Sequence, residues 1–185
     1  MTEMPLTHQC SQIGFGGSRD DWWAEDFTLA EMKTLKARQP YAGRSKAYDD
    51  QFDIPTFDEV VALAVDAGVG LYPETKAPSH HTAINLDMKA PLLTALEGVN
   101  TPVFFQSFEA GILRELDEMT ELSLVQLISG DPRAAIAGFE PPLEDVATYS
   151  EGVGPFKMLL WYSSGDPSDF VQRAHDLGLQ VHPWT

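Results

Sequence analysis

The sequence predicts an α/β protein built on a parallel sheet, and three observations carry that reading. Five short apolar runs without polar alternation occur at Val69–Tyr72, Val103–Phe105, Leu124–Ile128, Met158–Trp161 and Leu179–Val181. Such runs are expected of strands covered on both faces. Helical patterns separate most of them, at Leu86–Leu96, Phe108–Met119 and Pro167–Leu177, with a weaker one over Pro142–Tyr149. Strand starts recur roughly every 20–35 residues, the span of one βα unit. Repeated βα units give parallel strands, in a sheet that is either open and doubly wound or closed as a barrel.

Taken in order, the elements begin after an irregular lead-in over residues 1–21. Met1 to Ser18 holds no sustained periodicity, and Gly14, Gly16 and Gly17 crowd its end without matching a dinucleotide-binding spacing. Two helix starts then share one capping logic. Thr28-Leu-Ala-Glu31 and Thr56-Phe-Asp-Glu59 both fit the capping box, in which hydroxyl and carboxylate satisfy each other's free amides. Leu29, Met32 and Leu35 follow the first at helical spacing; Val60, Leu63 and Ala64 follow the second, with Gly68 as its stop. Between them, Gln39 to Pro55 reads as a long surface loop rich in Pro, Gly, Asp and Ser. Gly178 ends the last helix.

Composition narrows the classes. The chain has 185 residues, 43% of them hydrophobic, which excludes wholesale disorder. Its net charge of −16 disfavours nucleic-acid phosphates and anionic membranes as partners. No run approaches the roughly 18–20 apolar residues of a membrane span, and no export signal is recognisable at Met1-Thr-Glu-Met-Pro5. One cysteine, Cys10, permits neither an intrachain disulfide nor a multi-thiolate zinc site.

In α/β folds of both kinds ligands bind at the carboxyl ends of the strands. The runs there end in Pro73-Glu74-Thr75-Lys76, Gln106-Ser107-Phe108-Glu109, Ser129-Gly130-Asp131 and His182-Pro183-Trp184-Thr185. Glu74 and Lys76, two apart on extended backbone, point to one side. Together they suit a hard cation and a phosphate oxygen, or else form an ordinary loop ion pair. His80-His81 in a Pro-Ser-His-His loop reads as an exposed pair, and His175 as a helix-surface residue. His182 is divided between barrel lining and solvent. Trp22-Trp23 read as packing groups and Asp20, Asp21, Glu25 and Asp26 as a solvated acidic run.

At Tyr72-Pro73-Glu74-Thr75-Lys76 the chain resembles the glycerophosphodiester phosphodiesterase family. Four further segments resemble the family in its order: Asp26–Met32, Ile54–Val60, Phe104–Phe108 and Val181–Thr185. The resemblance runs from Trp22 to Thr185. It implies a (β/α)8 TIM-barrel fold, here incomplete at about five to six of eight βα units, since a full barrel takes about 250 residues. The implied reaction is hydrolysis of a glycerophosphodiester to glycerol 3-phosphate and an alcohol, assisted by a divalent cation, Ca²⁺ or Mg²⁺. By resemblance Glu74 is a metal ligand and Lys76 the basic residue near the phosphate, while Gln106, Phe108 and Trp184 line the substrate face.

The family's His-Arg-Gly, Glu-x-Asp and His-Asp motifs do not occur ahead of Tyr72–Lys76, and His8 is followed by Gln9 and Cys10. No catalytic histidine is therefore assigned. The expectation is a phosphoric diester hydrolase by family whose 185-residue chain is inactive alone, with two open sheet edges through which copies could associate. Two alternatives stand beside it. One is a non-catalytic barrel fragment binding a partner or ligand. The other is a different metal-dependent barrel hydrolase using His80, His81 or His182.

Overall fold

The computed structural model describes residues 23–130 and 140–185, which fall into two compact units divided after Val60. The lead-in, with His8, Cys10, Gly14–Gly17 and Trp22, and also Asp131, lie outside the described residues.

The first unit begins with a 3-10 turn, Ala24–Asp26, whose Asp26 carboxylate accepts from the Trp23 amide at 3.2 Å. Helix α1 (Leu29–Met32) follows, capped as predicted. The Glu31 amide donates to Thr28 Oγ1 at 3.3 Å, and Glu31 Oε2 accepts from the Thr28 amide at 2.9 Å. The helix stops after one turn and does not reach Leu35. Leu29 is 63% exposed, so no packing supports further turns, and a short helix needs that support. Residues 39–55 are turns and irregular backbone, as expected. They are tied by the antiparallel bridge Lys36–Asp53 and by ion pairs Lys36–Asp53 and Arg38–Asp50. The second capping box starts α2 (Phe57–Ala67), with the Thr56 amide donating to Glu59 Oε2 at 2.7 Å. Gly68, at φ 65°, ends it. The buried residues of α2 are Val61 and Ala64, whereas Leu63 is 69% exposed. The predicted apolar face is thus turned by about one residue.

The second unit holds a five-stranded parallel sheet: β1 (Glu74–Thr75), β2 (Phe104–Ser107), β3 (Ser123–Ile128), β4 (Gly152–Pro155) and β5 (Gln180–Val181). Spatial order equals chain order, and every neighbouring pair is parallel. A doubly wound sheet reverses its order at a switch point. This sheet does not, so of the two architectures left open it has the winding of a barrel.

Between the strands lie α3 (Pro78–Ala83), α4 (Lys89–Ala95), α5 (Ala110–Asp117), α6 (Leu143–Val146) and α7 (Phe170–Asp176). One face of the sheet packs on helices. Phe105, Leu124, Ile128 and Val153 form a buried core with Ile112, Leu113 and Leu116 of α5, Leu143 and Val146 of α6, and Ala174 of α7. Removing these side chains from water is the main stabilising term of this unit.

Three expectations need correction. The first apolar run, Val69–Tyr72, contributes only a bridge, Leu71 to Val103, and the strand proper lies just beyond it at Glu74–Thr75. Met158–Trp161 is not a strand; Lys157–Leu160 is a 3-10 helix, and Gly152–Pro155 is the fourth strand. All four β4 residues are buried, and a Cβ on Gly154 would lie 2.6 Å from Leu127 Cδ2. Crowding there excludes the bulky β-formers that mark a strand in sequence. Finally, His80 and His81 are not in a loop. They lie on α3, which Pro78 opens at its first turn, a position where proline's fixed φ suits a helix start.

Candidate active site at the carboxyl ends of the strands

The register shows which residues share the other face of the sheet. Glu74 pairs with Gln106, Gln106 with Val125, Val125 with Gly152 and Gly152 with Gln180. Residues two apart on a strand share a face. Tyr72, Glu74 and Lys76 therefore lie with Phe104, Gln106 and Phe108, and with His182 and Trp184. Of the five residues named from the sequence, Glu74 and Gln106 lie on this face within the strands, and Lys76, Phe108 and Trp184 follow at or just beyond the strand ends.

The geometry joins four of the five. Lys76 Nζ lies 2.8 Å from Glu74 Oε1 and 5.3 Å from the centroid of the Phe108 ring. Phe108 meets Trp184 edge to face at 5.4 Å, and Trp184 stacks at a tilt on Phe156 at 4.9 Å. The indole Nε1 donates to the Ile128 carbonyl at 3.2 Å, which fixes the ring. Gln106 is beside Glu74 in the register, and the structure shows no side-chain bond between them. Lys76 is 78% exposed, so its pairing with Glu74 adds little stability and leaves the ammonium open to an anion.

Glu74 Oε1 is buried and makes no hydrogen bond of good geometry; the lysine approaches it at ion-pair distance only. A buried carboxylate oxygen so placed is the kind of atom a cation would satisfy. Yet a hard cation takes about six or more oxygens. Among the described residues, no group of three His, Cys, Asp or Glu side chains gathers around Glu74. The described donor set does not by itself fit Ca²⁺ or Mg²⁺. The triplet Glu115-Leu116-Asp117 and the pair His175-Asp176 match two family motifs in letters only. They sit in α5 and α7, whose cores pack on the opposite face.

His182 lines the sheet's inner face. Its Nδ1 is 2.5 Å from Tyr72 Oη, and its ring lies 5.6 Å from Tyr72 and 5.2 Å from Phe104. These contacts bring residues beside β1 and β5 together, so the sheet curls until its edges approach. Burial pushes the Tyr72 phenol up to about 12, keeping it protonated and able to donate to the imidazole. His80 and His81 meet edge to face at 5.3 Å on α3, and among the described residues no three-ligand group unites them with His182.

Two features had no sequence signal. Glu140 lies at the carboxyl end of β3, accepting from Ser129 Oγ and, at 2.5 Å, from the Gly130 amide. Gly130 holds φ 70°, the left-handed conformation that turns its amide toward the carboxylate. Gln126, the one polar residue inside the apolar run Leu124–Ile128, is fully buried and bonded throughout.

Comparison with known proteins bears on the family and the fold. Glycerophosphodiester phosphodiesterase GDPD6 of Arabidopsis thaliana is 31% identical over 92% of this chain and 54% of its own length. A glycerophosphodiester phosphodiesterase of Haemophilus influenzae is 27% identical over 89% of this chain and 59% of its own. The chain thus spans little more than half the length of the curated relatives it matches. Two crystal structures provisionally named glycerophosphoryl diester phosphodiesterases share the fold. That from Silicibacter pomeroyi DSS-3 has TM-score 0.65 at 22% identity, covering 92% of this chain and 61% of that one. That from Agrobacterium tumefaciens C58 has TM-score 0.58 at 19% identity, covering 93% and 62%. The family profile itself matches residues 6–185. With the family profile matched over that span, the chain belongs to the glycerophosphoryl diester phosphodiesterase family.

Proposed function

We propose that this chain carries the substrate-holding side of a glycerophosphodiester phosphodiesterase, whose complete barrel releases glycerol 3-phosphate and an alcohol. One observation supports it most: Lys76, Phe108 and Trp184 converge at the strand ends beside Glu74. In this reading the Lys76 ammonium faces the phosphate oxygens, and Phe108 and Trp184 pack against the glycerol carbons. Gln106 offers its amide to a hydroxyl. Glu74 is one oxygen ligand of a divalent cation whose remaining ligands are not among the described residues. The chain's own contribution is to bind and orient; it holds no assigned acid or base, so hydrolysis by the 185 residues alone is not expected. Strands β1 and β5 end the five-strand order, and further strands, from a longer chain or a second copy, would have to part the Tyr72–His182 contact to pair between them.

Titration of the chain with glycerol 3-phosphate, followed by NMR, tests this. One exposed ammonium and two aromatic faces support binding on the order of 1 mM. Lys76→Ala is expected to weaken it about fivefold or more and to remove most of its salt dependence. Equal affinity in the variant would count against the assignment of Lys76.

A further inference from the structure

We propose that Gln126 and Tyr149 are positioning residues for the substrate-facing aromatic Phe108, acting from the helix-covered side of the sheet. The inference rests on the functional reading above for the meaning of Phe108, but its geometry stands alone. Gln126 lies on β3 directly across from Ser107 in the register, and both are fully buried. Its Nε2 donates to the Phe108 carbonyl at 3.0 Å, to the Leu127 carbonyl at 3.0 Å and to the Ser107 carbonyl at 3.3 Å. Its Oε1 accepts from Tyr149 Oη at 2.8 Å. That hydroxyl fixes which end of the amide is which: a flip would set Nε2 against a donor and Oε1 against three carbonyls.

Ser107 ends β2 and is still paired with Gln126 in the ladder, whereas Phe108 lies beyond the strand and its carbonyl receives the Gln126 amide instead of a ladder bond. An unpaired buried carbonyl is costly, and Gln126 is the group that satisfies that of Phe108. The backbone orientation at Phe108 sets where its ring meets Lys76 and Trp184. Tyr149 is itself held from outside. The Arg114 guanidinium lies 4.2 Å from the centre of its ring and pairs with Asp145 at 2.5 Å. Burial pushes the Tyr149 phenol up to about 12, so it remains a donor throughout the physiological range. The chain of contacts runs from the Arg114–Asp145 pair through Tyr149 and Gln126 to the backbone of Phe108.

Two readouts on the 185-residue chain test the proposal. The first is the NMR resonance of the Trp184 indole N–H, which reports the edge-to-face Phe108 ring. The second is affinity for glycerol 3-phosphate. Tyr149→Phe and Gln126→Met are each expected to shift the indole resonance and to weaken binding about tenfold. The double variant should do no more than Gln126→Met alone, because Tyr149 acts through Gln126. Val146→Ala, which empties part of the same core but removes no side chain from this chain of contacts and keeps the backbone bond to Tyr149, should lower the melting temperature while leaving both readouts unchanged. An unmoved indole in folded Tyr149→Phe and Gln126→Met would overturn the proposal, as would an equal shift in Val146→Ala. If the unsubstituted chain binds no glycerol 3-phosphate, the functional reading fails, and the indole resonance still decides the positioning role.

Discussion

Lys76 and Glu74 show how far one residue's surroundings decide its use. Two apart on an extended segment they must share a side, and the structure sets them 2.8 Å apart with the carboxylate oxygen buried and the ammonium exposed. Tyr72 and Tyr149 supply a second residue-scale test. Both phenols are raised from 10.0 to about 12 by burial. A group whose folded pKa is raised adds stability that is fully present below its unfolded pKa and is lost as pH rises through the folded value. Stability should therefore be unaffected by these groups up to about pH 9 and decline between 10 and 12. Urea denaturation across that range is the measurement, and Tyr72→Phe with Tyr149→Phe together should flatten the decline. The carboxylate and lysine were legible because strand parity is a local rule. Glu140 was not, since its partners Ser129 and Gly130 lie ten or more residues back and meet it only through the fold.

Among the elements, helix starts were the most legible feature and the fourth strand the least. Capping is written in four consecutive residues, and both boxes form. Thr56→Ala should cost about 1 kcal/mol in denaturant unfolding, with Thr56→Ser close to wild type. The strand Gly152–Pro155 carries almost no strand signal because one face of it, at Gly152 and Gly154, has no room for side chains. Gly154→Ala should destabilise by about 1–3 kcal/mol, since the added methyl meets Leu127 and the His182 carbonyl. The neighbouring run Met158–Trp161 is apolar for another reason: Leu159 packs against the core while Met158 and Trp161 stay more than half exposed. Apolarity alone could not distinguish the two segments. The helix over Pro78–Ala83 was missed because its opening proline reads equally as a loop marker and as a helix start.

For the whole molecule, sequential strand order and one-sided helix packing are what separate a barrel from a doubly wound sheet, and neither is a property of any local window. Motifs in family order supplied that information instead. The same scale governs activity. The residues proposed to bind substrate are grouped together, but the described residues gather no carboxylate set around Glu74, and the family's histidine motifs are not in this sequence ahead of Tyr72. Binding without turnover is the expected behaviour of the 185 residues. Among the described residues no helix is long and apolar enough to cross a membrane. The most direct measurement is glycerol 3-phosphate release from glycerophosphocholine by the folded chain, with Ca²⁺ or Mg²⁺ and with chelator. Release should not exceed the chelated control under either metal. Metal-dependent release would contradict this, and would mean that the missing ligands and proton carriers are supplied within the chain or between copies of it.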